Sequence, residues 1–422
     1  MVRSSRTIII AAVALLSSNN GVTAFQTAAP PLQRTSLPST TTTTSRSTRL
    51  QSTTTSDNSS TLTKPALSTL TNRVAVAGAT GRTGKFIVQQ LLSQNVPVLA
   101  LVRDIDKAND TLDTAHPLLT VRQTDLGSKE DVQSAILDSD NGADCAIWAA
   151  TGFSDSPDQS IWTKLKAMLG MAVNSQGSID AVGLPALGEV LAQSPPRTLP
   201  SSSSSNNDSS KAAQPPLLPK VVMLSSAGVT RPNWTDEKKT ALKGCADIPI
   251  VRLNPFGILN IKQQSEQQLR NIGVEYTIFR PCGLNDNWPP NSRPIFSQGD
   301  VHVGRINRED VASILVELLM TPEATGKTFE GASIANTSEG YYPPAESLGV
   351  AMDRLVLDGK DGSSGVSEEA ARATYALLQQ LLPGEKQAAN ELAMGQTYEQ
   401  LDRDEVGRLG VRGTEEAPIV QT

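Results

Sequence analysis

The 422-residue chain holds only three cysteines and two histidines. Cys145, Cys245 and Cys282 are odd in number and show neither metal nor redox spacing, which argues against a disulfide framework. With so few histidines there is also no Cys/His cluster of metal-binding spacing. His116 precedes a proline in a loop and His302 lies in a short apolar run, so neither reads as catalytic. After residue 16 no uninterrupted apolar run is long enough to cross a bilayer. Acids are scarce at one end only: residues 1–70 carry six Lys/Arg against the single acid Asp57, and the remainder carries 31 basic against 42 acidic residues. So acidic a body argues against nucleic acid as a general partner.

The acid-poor end reads as an address. Arg3 and Arg6 precede the apolar run Ile8 to Leu16, and small and polar residues follow, the pattern of a signal peptide over residues 1–24. Residues 25–70 are crowded with Ser and Thr, including Thr40 to Thr44, and carry Arg34, Arg46, Arg49 and Lys64. Such a segment reads as a disordered organelle transit peptide. A secreted protein with a disordered tail is the alternative, against which the cysteine usage weighs. A signal peptide followed directly by a transit peptide resembles the bipartite leader of proteins sent to the complex plastids of algae such as diatoms. In that resemblance a Phe follows the cleavage point, and Val22-Thr23-Ala24-Phe25-Gln26 supplies it. The resemblance implies a stromal plastid protein.

The body is organised around Arg73 to Leu92. Val74-Ala75-Val76-Ala77 is a short apolar run of the kind that makes a strand buried on both faces. Gly78, Gly81 and Gly84 follow, and then Ile87, Val88, Leu91 and Leu92 recur at helical spacing. Glycines on a turn from buried strand to helix let backbone N–H groups approach a pyrophosphate that the helix N-terminus also attracts. The loop Gly78-Ala79-Thr80-Gly81-Arg82-Thr83-Gly84 is thus a candidate dinucleotide site, one residue longer than the Gly-x-Gly-x-x-Gly form. In this variant it resembles the short-chain dehydrogenase/reductase superfamily, in its extended and atypical NAD(P)H-binding (NmrA-like) branches.

Strand and helix signals alternate from Arg73 onward, so the expected fold is a doubly wound α/β Rossmann-type parallel sheet over residues 71–335. A small substrate-side region and a helical C-terminal extension at 341–422 complete it. Strands are expected at Val98 to Val102, Leu118 to Val121, Cys145 to Ala149, Val221 to Leu224 and 274–280. Helices are expected at 104–110, 128–138, 178–192, 254–271, 309–320, 346–356, 368–382 and 386–402. Residues 194–219, with Ser201 to Ser205 and several prolines, read as a disordered insertion within the domain. Trp148, Trp162, Trp234 and Trp288 read as pocket walls or core.

The end of the second strand discriminates between the nicotinamide cofactors, since an acid there suits NAD and a positive charge suits the 2′-phosphate of NADP. Arg103 occupies that place, with Asp104 beside it and Lys107 a turn further on, so NADP(H) is expected over NAD(H). Asp104 could instead take the acid's role, and Arg82 could reinforce the phosphate preference. The family resemblance alone implies that Asp125 and Leu126 hold the adenine and that Ala149 and Ala150 line the nicotinamide side. It likewise makes Pro281 and Cys282 candidates for the pocket wall.

Members of the superfamily usually assist hydride transfer with a Tyr and a Lys four residues apart on one helix, and with a Ser at the end of the preceding strand. Lys262 is kept here, and Ser225 and Ser226 stand after the fifth strand, where turn formation explains them equally well. At the tyrosine position stands Ile258, which has no proton to give. The resemblance therefore implies either a reductase acting on a small-molecule substrate, with its proton from water, substrate or Ser225/Ser226, or a non-catalytic NADP(H) sensor or assembly factor with a plastid protein partner.

Overall fold

The structure is a computed structural model that describes residues 65–151, 179–200, 215–246, 248–254, 257–335, 346–359 and 365–381. The expected signal peptide, almost all of the expected transit peptide, Trp162, Pro255 and the expected helix 386–402 lie outside the described residues. From Ala66 onward the described residues form one compact unit.

The apolar run Val74–Ala77 is a strand, β1, buried at every residue. The other strands of the main sheet, in chain order, are β2 (Val98–Val102), β3 (Leu119–Gln123), β4 (Cys145–Trp148), β5 (Val221–Leu224), β6 (Tyr276–Pro281), β7 (Arg293–Ser297) and β8 (Lys327–Ile334). They lie in the order 3-2-1-4-5-6-8-7, and every pair is parallel except β8 with β7. Expectation and structure agree on a doubly wound sheet. The principal helices are α1 (Gly84–Ser93), α2 (Ile105–Thr111), α3 (Lys129–Ile136), α4 (Leu184–Gln193), α5 (Ile258–Ile272), α6 (Arg308–Leu318), α7 (Leu348–Asp353) and α8 (Glu368–Leu381).

Because successive strand residues face opposite sides, the two layers can be read along the chain. Val74, Val76, Val98, Ala100, Cys145 and Ile147 pack with Ile87, Val88 and Leu91 of α1 and Val311 and Leu315 of α6. Ala75, Ala77, Leu99, Leu101, Ala146 and Trp148 pack with Val132 of α3, Leu184, Leu187 and Leu191 of α4 and Leu269 of α5. Burial on both faces is what lets these strands be nearly uniform apolar runs. A third, smaller core joins Trp234, Leu242, Ile295, Val301 and Val303 to Ala371 and Leu378 of α8, so α8 packs against the β7 side of the fold.

Three local expectations change. The folded body begins ahead of residue 71, since Leu67 in a short helix (Leu67–Leu70) is buried in the first core. The insertion expected to be disordered over 194–219 is ordered at both ends: Thr198 and Leu217 form an antiparallel bridge. Buried Arg197 donates to the Pro219 and Leu319 carbonyls, which explains why the polar run is pinned at its base. Finally, α5 starts at Ile258 rather than 254. A short helix (Pro249–Leu253) ends at Asn254 in the left-handed region (φ 31°), and Gly257 (φ 67°) turns the chain into α5. The Asn254 side chain reaches its first turn, its Oδ1 accepting the Leu259 N–H at 2.9 Å.

Candidate functional site

After β3 the chain crosses to the other side of β1 to make β4, so a crevice opens where the strand order reverses, at the carboxyl ends of β1 and β4. The glycine loop fills one lip of that crevice. Gly78 is left-handed (φ 80°), and a Cβ there would lie 2.8 Å from the Ala149 carbonyl oxygen and from Ala150 N and Cα. A Cβ on Gly84 would lie 2.0 Å from the Gly78 oxygen, and Gly81 N–H donates to that same oxygen at 2.9 Å. Gly78 and Gly84 therefore each remove a real collision, a Cβ on Gly81 would sit tightly at 3.0 Å from the Gly78 oxygen, and the structure brings the loop backbone together with Ala149 and Ala150. Thr80 is half-buried and Thr83 buried, at the entry to α1. This is a cradle that side chains would fill, which fits a bound diphosphate.

At the end of β2, Arg103 is exposed and its guanidinium has no partner among the described residues. Its neighbour Asp104 is the N-cap of α2, its carboxylate accepting the Lys107 N–H at 3.1 Å. The acid that could have competed for a ribose is thus occupied with ending a helix. After β3, Asp125 turns back on the Gly127 N–H at 2.8 Å. The Leu126 carbonyl abuts Gly183, where a Cβ would approach to 2.1 Å. Arg82 is exposed and reaches Asp286, its Nη2 lying 2.8 Å from Oδ2.

The candidate catalytic residues fall into two groups. Lys262, nine-tenths buried on α5, has no hydrogen-bond partner for its ammonium among the described residues; the Asp180 Oδ2 stands 3.8 Å away, likewise without one among them. Asp180 lies in the five-residue π-helical turn (Ile179–Gly183) before α4, and its Oδ1 accepts the Trp148 Nε1–H at 2.9 Å. Two facing, buried and unsatisfied groups of opposite charge are costly unless a third partner, such as a hydroxyl or water, completes them. Sequence reasoning missed Asp180. The available signal was a lone acid within the apolar helical stretch that includes Ala181 and Leu184.

Ser225 belongs to a different assembly. Its hydroxyl donates to Glu266 Oε1 at 2.6 Å, and Glu266 also accepts from Arg280 Nε at 2.9 Å, Arg280 Nη2 at 2.6 Å and Arg270 Nη2 at 3.0 Å. Burial pushes the Glu266 carboxyl up, but the Arg280 guanidinium, with Arg270 and Ser225, more than offsets it and holds the group below the usual carboxylate range. A serine hydroxyl committed to an ionised carboxylate is no free proton donor. Ser226, half-buried, turns its hydroxyl to the Ala227 carbonyl at 3.0 Å. Pro281, next to Arg280, is buried at the end of β6, and its carbonyl accepts the Ala227 N–H. Cys282 is buried beside it.

The position that the resemblance matches to a tyrosine is packed. Ile258 is buried in an apolar cluster with Val229, Val251 and Leu259. Of the two histidines, His302 is buried with its Nδ1 3.0 Å from the Ser297 hydroxyl; burial, then Arg231, pushes it down to about 3. His116 accepts the Leu118 N–H in its loop. Trp148 is core, Trp234 packs under α8, and Trp288 donates to Ser333 Oγ at 3.1 Å.

The chain was then compared with known proteins. The family described as NAD(P)H-binding matches residues 78–322. A chloroplast protein of Arabidopsis thaliana, itself uncharacterised, is 29% identical over 273 residues, which cover 64% of this chain and 80% of the relative. Among solved structures, a short-chain dehydrogenase/reductase of Veillonella parvula in complex with NADP aligns at 15% identity and TM-score 0.41, over 62% of this chain and 95% of its own. An anaerobillin reductase of Escherichia coli aligns at 17% identity and TM-score 0.40, over 64% and 100%.

Proposed function

Because the chain belongs to the NAD(P)H-binding family, whose match spans more than half its length, we propose that it is an NADP(H)-dependent reductase of the plastid that works without a catalytic tyrosine. When bound, the dihydronicotinamide supplies a hydride. The chain's own part is to bind, orient and deliver a proton. The glycine loop and the N-terminus of α1 receive the diphosphate. Arg103 receives the 2′-phosphate, a preference supported by the engagement of Asp104 in capping. Lys262 and Asp180 hold a ribose hydroxyl or a water between them, the ammonium donating and the carboxylate accepting. The ammonium held there would be the proton donor to the substrate oxygen.

The observation that carries this reading is the pair of unsatisfied buried groups, Lys262 Nζ and Asp180 Oδ2, on the carboxyl side of a sheet whose crevice is built of colliding glycine positions. The plastid address is supported by the Ser/Thr-rich leader and by the chloroplast relative. A second reading, a non-catalytic NADP(H) sensor or assembly factor, is favoured by Ile258, whose apolar surroundings offer no acid.

The test is to titrate NADPH and NADH by fluorescence and then to screen carbonyl and quinone substrates. A reductase shows turnover that is lost in Lys262→Met while NADPH still binds. Tight NADPH binding without turnover on any substrate, together with a co-purifying plastid protein, favours the sensor. Arg103→Asp should weaken NADPH far more than NADH, by about tenfold or more if one charge-assisted contact of roughly 1.5–3 kcal/mol is lost. Equal loss of both nucleotides would sink the cofactor assignment.

A further inference from the structure

Arg82 sits inside the loop that receives the diphosphate, yet its guanidinium is directed to a residue 204 positions away. Asp286 lies beyond the end of β6, on the substrate side, and its two carboxylate oxygens are divided between two arginines. Oδ2 accepts from Arg82 Nη2 at 2.8 Å and Oδ1 from Arg308 Nη1 at 2.5 Å. The Arg82 and Asp286 side chains are each 45% exposed, whereas Arg308 is 9% exposed. One arm of the pair is thus open to solvent and exchangeable, and the other is fixed.

The loop bearing Asp286 is held in place from several directions. Asn307 Nδ2 donates to the Asp286 and Trp288 carbonyls at 3.3 and 2.7 Å. Buried Asn285 accepts the Asn287 N–H at 2.8 Å. Asp310 accepts the N–H groups of Asn291 and Ser292 at 2.7 and 3.3 Å. All of Asn307, Arg308 and Asp310 belong to the start of α6, which packs along α1, where Gln90 Nε2 donates to Ser313 Oγ at 2.6 Å. An acid so supported is preorganised and faces the first turn of the glycine helix. Hydrogen bonds from Arg308 and Arg82 outweigh its burial and keep it ionised below the usual carboxylate range.

We propose that Arg82 and Asp286 form a clasp between the glycine loop and the substrate-side loop, and that a phosphate of the incoming dinucleotide competes with the Asp286 carboxylate for the Arg82 guanidinium. This rests on the dinucleotide reading above and deepens it. Transfer of Arg82 to a phosphate leaves Asp286 on Arg308, so the substrate-side loop keeps its anchor while the glycine loop is released from it. The competing phosphate is either the diphosphate shared by both nucleotides or the 2′-phosphate of NADPH alone.

The experiment is a two-by-two cycle in the purified chain, wild type, Asp286→Asn, Arg82→Gln and the double variant, with Kd for NADPH and NADH measured by fluorescence at fixed low ionic strength. Loss of a half-exposed ion pair that competes with the ligand should tighten binding about two- to five-fold in Asp286→Asn. The gain should vanish in the Arg82→Gln background. Tightening of both nucleotides assigns the diphosphate, and tightening of NADPH alone assigns the 2′-phosphate. A gain that persists without Arg82 is repulsion by Asp286 and overturns the clasp, as does unchanged or weaker binding in Asp286→Asn. If the wild-type chain binds neither nucleotide, the dinucleotide reading fails and takes the clasp with it.

Discussion

Glu330 should make the protein lose stability as pH rises from about 6.5 to 8, and Glu330→Gln should abolish that loss. The reasoning starts from a charge count. Arg231, Arg270 and Arg280 are buried in contact with Glu266, Asp300, Glu330 and Asp358, every side chain of the seven being 6% exposed or less. Acids outnumber cations by one, and His302 beside them is neutral because burial and Arg231 push it down to about 3. An unpaired buried carboxylate takes up a proton rather than keep its charge. Glu330 is the acid with the longest contacts, 3.6 Å to Arg280 and 3.4 Å to Ser297, and its Oε1 has no hydrogen bond. Burial, then the Asp300 carboxylate, pushes it up to about 8.

The sign follows from proton counts. From the ordinary glutamate value of 4.5 up to about 8 the folded chain holds a proton on Glu330 that the unfolded chain has released, so stability falls with pH by about 1.36 kcal/mol per unit. His302 acts oppositely. Between about 3 and its ordinary 6.5 the unfolded chain holds the extra proton, so stability rises with pH. The two nearly cancel between 4.5 and 6.5, and above 6.5 only the Glu330 slope remains, roughly 2 kcal/mol over the last one and a half units. Urea unfolding of the wild type and Glu330→Gln at half-unit steps from pH 5 to 8.5 measures it directly. A wild-type profile that is flat or rising from 6.5 to 8, or a glutamine variant that keeps the fall, would refute the charge count.

Two other substitutions probe the site. Gly84→Ala drives a Cβ to 2.0 Å from the Gly78 oxygen, so the loop must shift as backbone; nucleotide affinity should be lost, with a stability cost of about 1–3 kcal/mol by thermal unfolding, as for overpacking elsewhere. Asp104→Ala removes the cap of α2 and should cost about 1 kcal/mol. The NADPH-to-NADH affinity ratio should stay unchanged in that variant, and a shift toward NADPH would show that Asp104 contacts the ribose.

What the sequence disclosed is what apolar periodicity and glycine can encode. β1, β2 and β5 were legible to the residue because strands buried on both faces need no polar alternation, and the loop after β1 was legible because only glycine clears its own backbone. β8 was not: Lys327-Thr328-Phe329-Glu330-Gly331-Ala332-Ser333-Ile334 reads as a polar stretch. Two of its polar side chains find partners far away in sequence, Lys327 in the Met352 carbonyl and Thr328 in Asp358. β7 was hidden by Pro294, which is tolerated because the strand lies at the sheet's edge. The same distance in sequence hid Asp180 and Asp286, each of which takes its meaning from a partner more than 30 residues away.

Ile258 shows the limit most sharply. The resemblance put Ile258 where related proteins carry a tyrosine, and the structure buries that side chain with Val229, Val251 and Leu259, in packing. Restoring tyrosine at 258 would put a hydroxyl into that apolar cluster, at a cost of about 1–3 kcal/mol for the unsatisfied group, without presenting it to a substrate. On the reductase reading proposed above, the proton donor is sought four residues on, at Lys262, whose ammonium is buried, without a hydrogen bond among the described residues and opposed by Asp180. If turnover exists, Asp180→Asn should shift its pH profile. A protein in which that substitution alters nothing but stability would be one that binds the nucleotide without using it.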